Sequence, residues 1–165
     1  MRRKKCGLMG RLYICWKPHP RGLEPGHLSR VQVWVDTFTG WIEAFPCRSV
    51  QAKEVIKILI HEIIPRFGLP QSLQSNNGSA FKAAVTQGVS KALGIEYHLH
   101  CSWRPQSSGK VEKTNDIIKR HLCTLTQETQ DNLIKVLPIV IMRAQTAPPK
   151  EGLSHFECIY GRPVL

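Results

Sequence analysis

Two polar turns carry the residues best suited to chemistry. The first, Ser75-Asn76-Asn77-Gly78, follows directly on a short strand-like segment, SLQS. The second, Gln106-Ser107-Ser108-Gly109, opens a helical stretch with Glu112 in its first turn. A helix N-terminus exposes free N–H groups and attracts anions, and Ser107 or Ser108 suits the N-cap. At helical spacing Glu112, Asn115, Asp116 and Lys119 share one face, while Lys110, Lys113 and Arg120 fall on a neighbouring one. Arg104 stands just before the turn. Residues 104–120 hold five basic and two acidic side chains, a net +3. A carboxylate set in a basic helix suits a phosphate backbone drawn toward a metal-binding residue. The same pattern also fits a solvated helix whose charges pair four residues apart. His98 and His100 alternate along a strand and read as two positions on one sheet face rather than as metal ligands.

These groups need a scaffold, and the hydrophobic pattern supplies one. VQVWVD alternates apolar and polar residues and ends in an Asp-Thr turn, Gly40 breaks it, and WIEAFP follows. The pair reads as a hairpin. Val55, Ile56, Leu59, Ile60, Ile63, Ile64 and Phe67 recur every three to four residues as one apolar helix face, stopped by Gly68 and Pro70. SLQS is a short strand, residues 80–93 a helix ending at Gly94, and IEYHLHCS another strand. Residues from Ser108 to about Thr126 form a helix buried along Val111, Ile118, Leu122 and Leu125. A last helix, Asp131 to about Ala147, is apolar over most of its circumference and contains Pro138. Strands alternating with helices at these spacings predict an α/β sheet with helices packed on it.

The chain has 165 residues, 42% hydrophobic, and a net charge of +11. That is one domain with a real core, and its charge favours an acidic partner such as nucleic acid. The longest apolar runs fall short of the ~20 residues of a membrane span. Residues 1–30 differ in kind. They carry +7 of the charge and cluster Pro18, Pro20, Gly22, Pro25 and Gly26, so they read as a basic, poorly ordered segment ahead of a domain at 31–165. Arg2-Arg3-Lys4-Lys5 fits a nuclear-localisation patch or simply a solvated terminus. No clean signal-peptide core follows it, so a nuclear or cytoplasmic setting with reduced cysteines is expected. Asn77-Gly78-Ser79 fits a glycosylation sequon, which matters only in a secreted protein.

Longer motifs are recognisable. Asp36-Thr37-Phe38-Thr39-Gly40-Trp41-Ile42-Glu43-Ala44-Phe45-Pro46 resembles the second and third strands of retroviral integrase cores. Pro105-Gln106-Ser107-Ser108-Gly109-Lys110-Val111-Glu112-Lys113-Thr114-Asn115 is similar to that family's glutamate helix. Pro65-Arg66-Phe67-Gly68-Leu69-Pro70-Gln71, Leu99-His100-Cys101 and the stretch from Gly152 to Pro163 match as well. The resemblance runs from about Val33 to Leu165 and is to gammaretroviral integrases, as found in endogenous proviruses. It implies an RNase H-like fold and a site at which two Mg²⁺ ions, held by two aspartates and a glutamate, transfer phosphoryl groups on DNA. It also implies DNA as a partner and self-association as a homodimer.

Against the family pattern the site is incomplete. The family's second aspartate and its glutamate are separated by 35 residues, the number that separates Asn76 from Glu112 here. Glu112 therefore takes the glutamate's place, and Asn76 stands where the second aspartate belongs. The first aspartate is expected near Lys17, and no aspartate precedes Asp36. Asp36 matches a family aspartate that is not a ligand. Mg²⁺ prefers carboxylate oxygens in near-octahedral geometry. Losing two charges beside a dication costs several kcal/mol even at an effective dielectric of ~20, and about 1.4 kcal/mol on a barrier is tenfold in rate. The expectation is a degenerate integrase core that has lost catalysis and binds Mg²⁺ weakly at best, through Glu112. It keeps non-specific, salt-sensitive DNA contacts through Arg104, Lys110, Lys113, Asn115, Lys119 and Arg120. The alternatives are a protein-interaction module and a proviral relic without a role. The family's zinc domain is not expected, because His19, His27, Cys6 and Cys15 lack its spacing, and no C-terminal DNA-binding domain is expected after Leu165. The first strand must be degraded, or replaced by residues 10–16.

Overall fold

The structure, a computed structural model of the chain, describes residues 11–18, 30–49, 51–75, 78–99, 105–148 and 152–163, with the backbone alone at 16–18, 105–112 and 115. Strand β1 spans Arg11–Pro18, β2 Arg30–Asp36 and β3 Ile42–Cys47. Helix α1, Ala52–Ile58, runs through a π turn at Leu59–Ile63 into α2, Ile64–Phe67. Strand β4, Ser72–Ser75, is followed by α3, Ser79–Lys82, and α4, Ala84–Ala92. Strand β5, Glu96–Leu99, precedes α5, Pro105–Thr129, α6, Leu133–Thr146, and α7, His155–Tyr160.

The strands form one mixed sheet in the order β3-β2-β1-β4-β5. Strand β1 pairs antiparallel with β2 and parallel with β4, and β4 pairs parallel with β5. The domain thus takes its central strand from the N-terminal segment that composition sets apart. The local reason is legible. Leu12 and Ile14 face one side of the sheet, Tyr13 and Cys15 the other, and all four are buried. A strand apolar on both faces belongs in the middle of a covered sheet. The positive residues around it do not prevent this, because Arg11 lies at the exposed start of the strand.

Each face has its own core. On one, Tyr13, Cys15, Val31, Val33 and Val35 pack under Ile118, Leu122 and Leu125 of α5 and Leu133, Val136, Leu137 and Val140 of α6. On the other, Leu12, Ile14, Trp34 and Leu73 pack under Val55, Ile58, Leu59, Ile63 and Phe67. The result is a helix–sheet–helix sandwich. Among the described residues no helix is long and apolar enough to cross a membrane.

Several elements depart from the pattern expected of them. The helix over residues 52–67 contains a π turn just before Pro65. Proline lacks the N–H of an i→i−4 bond and collides with the carbonyl four residues back, and a wider turn at that point relieves both problems. The expected helix over 80–93 is two helices, separated at Ala83, whose ψ of 134° is extended. The buried Thr86 hydroxyl bridges the break by donating to the Ala80 carbonyl at 2.9 Å. Helix α5 begins at Pro105 rather than Ser108. Proline is well suited to the first helical position, where its missing N–H costs nothing. Ser107 and Ser108 are therefore inside the helix and are not its N-cap, and Glu112 lies in the second turn.

Candidate functional site

Strands β1 and β4 are parallel neighbours in the sheet. Ser75, the last residue of β4, is paired with Ile14 of β1, and Asn76 follows it. Lys17 lies three residues beyond Ile14 on β1, paired with Val31 of β2. Parallel strands present the same end, so Lys17 and Ser75 lie toward the forward ends of neighbouring strands. Helix α5, which carries Glu112 in its backbone, packs on the face of the sheet that holds Tyr13 and Cys15. Asn76, Asn77, His100 and Arg104 lie outside the described residues, as do the side chains of Lys17, Lys110, Glu112 and Asn115.

Asp36 is removed from this region and has another task. It pairs with Leu12, five residues back along β1 from Lys17, a separation of roughly 16 Å at ~3.3 Å per residue. It is fully buried. Its Oδ2 accepts the Thr39 backbone N–H at 2.8 Å and the Thr39 hydroxyl at 2.7 Å, and Oδ1 accepts a longer bond from the Arg11 N–H at 3.4 Å. The carboxylate builds the β2–β3 turn and ties it to the start of β1. It is not a substitute metal ligand.

On the family pattern that the sequence resembles, the expected donors are one carboxylate, Glu112, and one neutral amide, Asn76, with no aspartate near Lys17, where the first is expected. A lone carboxylate cannot bridge two hard dications and satisfy their octahedra. Among the described residues no group of three or more His, Cys, Asp or Glu could hold a metal ion. His98 is exposed and lies 3.6 Å from the Glu96 carboxylate.

The basic face of α5 is available to a partner. Lys113, Lys119 and Arg120 are exposed, as is Asp116. Among the described residues no ion pair joins Asp116 to these cations, so pairing four residues apart does not consume the charge. Ile118, Leu122 and Leu125 are buried as the pattern predicted.

Two clusters escaped the sequence reading, although their motifs were recognised. The first joins β3, α2, α6 and α7. The buried Glu43 carboxylate accepts from the Trp41 indole at 3.0 Å and from both terminal nitrogens of Arg66, at 3.2 and 2.9 Å. This fork geometry fixes the planar guanidinium. Trp41 meets Tyr160 edge-on, with ring centroids 5.8 Å apart. A groove of about 550 Å³ opens beside them, lined by Ile134, Pro138, Met142 and Gln145 of α6. Ile134, Met142 and Tyr160 are exposed. The signal available was the apolar circumference of α6, more than one buried face requires.

The second cluster surrounds Tyr97 on β5. Its hydroxyl lies 2.9 Å from the Ser75 hydroxyl and donates to the Phe81 carbonyl at 3.1 Å. Burial raises the Tyr97 pKa, and the bond with Ser75 partly opposes that. Neither residue type nor spacing announces this bridge, because it depends on the pairing of β4 with β5.

The integrase core domain family matches residues 18–105. The Gag-Pol polyprotein of avian reticuloendotheliosis virus is 50% identical over 129 residues, covering 78% of this chain and 11% of that protein. The Pol polyprotein of radiation murine leukemia virus (strain Kaplan) is 49% identical over 132 residues, 79% of this chain and 23% of that protein. The chain thus spans only a small part of these relatives. Among solved structures, the catalytic core domain of BIV integrase superposes with a TM-score of 0.76 at 21% identity, over 92% of this chain and 93% of that one. The HTLV-2 integrase catalytic core domain in complex with magnesium, in a trimeric form, gives 0.73 at 20% identity, over 93% and 99%. The chain belongs to the integrase core domain family in its retroviral Pol branch.

Proposed function

We propose that this chain is an integrase core that has lost two-metal phosphoryl transfer and has kept a phosphate-binding helix. The observation that carries the reading is the donor set: Asn76 at the second aspartate position, and no aspartate near Lys17 where the first is expected, leave Glu112 as the sole carboxylate. Without a second and third negative charge the two ions cannot be held against each other's repulsion, and neither the attacking nor the leaving oxygen is stabilised. The exposed Lys113, Lys119 and Arg120, unpaired with Asp116, support docking to a nucleic-acid backbone. Such binding is led by phosphates and indifferent to sequence. A strand-transfer and 3′-processing assay with Mg²⁺ and Mn²⁺ tests the loss of catalysis. No product is expected. Turnover that disappears in Glu112→Gln overturns the reading.

The groove beside Glu43 and Arg66 favours a second element in the same reading, self-association. Exposed Ile134, Met142 and Tyr160 around a cleft form a surface that gains from being covered. The HTLV-2 core is known in both dimeric and trimeric forms, and a second copy of this chain is the proposed occupant.

A further inference from the structure

The turn between β2 and β3 is fastened within itself, to β1 and to α7, yet it shows its largest side chain to solvent. Within the turn, the Asp36 N–H donates to the Trp41 carbonyl and the Gly40 N–H to the Asp36 carbonyl, both at 2.9 Å. The Thr39 hydroxyl donates to the Asp36 carboxylate and accepts the Trp41 N–H at 3.2 Å. From β1, the Arg11 carbonyl accepts the Thr37 N–H at 2.8 Å. From α7, the His155 ring bonds the Thr39 carbonyl. Phe38 stands in the middle of this framework and is 91% exposed, more than any other large apolar side chain among the described residues. Its ring therefore contributes little to the packing of a single copy. A ring carried on so well bonded a turn meets a partner with its backbone already ordered, so binding fixes little beyond the ring itself.

We propose that Phe38 is a stacking platform for an unpaired base of single-stranded nucleic acid, with Arg11 taking a neighbouring phosphate. The charge at this rim selects the partner. Arg11 is exposed, and its backbone lies against Thr37. Asp36, the acid of the turn, is fully buried, and both its oxygens accept hydrogen bonds. Along the chain Arg2, Arg3, Lys4 and Lys5 precede Arg11, and no acid occurs before Glu24. A purely apolar partner would use Phe38 and leave Arg11 idle. A duplex would use Arg11 and leave Phe38 in water, since its bases already stack on one another. An unpaired strand uses both, because every base has a π-face and its backbone is anionic. The turn lies at the backward end of β1, roughly 20 Å from Lys17 at ~3.3 Å per residue, and the contact uses none of the α5 cations.

Fluorescence anisotropy of a labelled oligothymidine, titrated with the full chain, tests it. Phe38→Ala should weaken binding about tenfold, the size of one base–aromatic stack. The melting temperature should not move, because the ring is exposed. Phe38→Leu keeps an apolar side chain without a π-face and should lose about as much affinity, whereas Phe38→Trp should retain or improve it. Arg11→Gln should flatten the log–log salt slope by about 0.7, the share of one phosphate on a single strand. Unchanged affinity in Phe38→Ala, full affinity in Phe38→Leu or an unchanged slope in Arg11→Gln overturns the proposal. So does a sedimentation shift toward monomer in Phe38→Ala without nucleic acid, which would assign the ring to a contact between copies of the chain.

Discussion

Gly40 turns the β2–β3 hairpin with φ +75°, and the His155 ring lies against it. A Cβ there would stand 2.6 Å from His155 Nδ1 and closer still to Cε1. The same imidazole donates from Nδ1 to the Thr39 carbonyl at 2.9 Å. Gly40→Ala therefore suffers both a left-handed backbone and a collision, and should lose roughly 2 kcal/mol or more in urea unfolding. Gln32 offers the opposite case. It is fully buried, and among the described residues neither its amide nitrogen nor its oxygen has a hydrogen-bond partner. Gln32→Leu should raise stability by about 1–2 kcal/mol in the same measurement. Cys47 is buried, and burial followed by the Glu54 carboxylate pushes its thiol up to about 11. Its folded value lies above the ordinary 9.0, so the neutral thiol's contribution is complete below pH 9 and fades as the pH rises toward 11. At neutral pH Cys47 should resist a thiol reagent that labels the exposed Cys158. At this scale the sequence exposed the missing acids, because a substitution at a spaced motif is visible without coordinates. It did not expose Gln32, whose polarity within VQVWVD looks like a solvent-facing strand position until helices are seen to cover both faces.

The elements were readable where period and punctuation agreed. The β2–β3 hairpin, β4 and the buried stripe of α5 follow directly from alternation, Gly40 and the Ile118, Leu122, Leu125 spacing. Helix ends were less accessible. Ser107 and Ser108 look like caps, but Pro105 starts α5 earlier, and the π turn before Pro65 depends on a steric conflict that hydrophobic spacing does not report. Two predictions belong to these elements. If each of Arg104, Lys110, Lys113, Lys119 and Arg120 neutralises one phosphate, duplex DNA affinity should fall with a log–log salt slope of about −4.5. Lys113→Glu/Arg120→Glu should flatten that slope and weaken binding to all sequences alike, as fluorescence anisotropy would report. On α6, Met142→Glu should shift sedimentation toward monomer without lowering the melting temperature, since Met142 is exposed in a single copy. In α7, Ser154 and Glu157 form a capping box, and the bonds from Ser154 hold the Glu157 carboxyl below its ordinary 4.5. A lowered pKa stabilises above that value and is lost as pH falls below it. Docking of α7 should therefore loosen in acid, and near-ultraviolet circular dichroism of Trp41 and Tyr160 should follow it.

At the scale of the molecule, the net charge of +11 suggested nucleic acid, yet +7 of it lies in residues 1–30. Part of that segment, Arg11–Pro18, is the central strand of the sheet. Composition could not show this, because the prolines and glycines of residues 18–26 outweigh the short apolar run before them. The strand completes the fold, yet it carries no aspartate near Lys17, where the family pattern leads one to be expected, so on the proposed reading architecture and chemistry part at β1. The most direct measurement of that separation is a calorimetric titration of Mn²⁺ into the chain, the Lys17→Asp/Asn76→Asp variant, and that variant with Glu112→Gln. The account predicts no saturable binding by the chain, saturable binding once both aspartates are supplied, and its loss when Glu112 is replaced. Saturable binding by the unaltered chain that depends on Glu112 would contradict it.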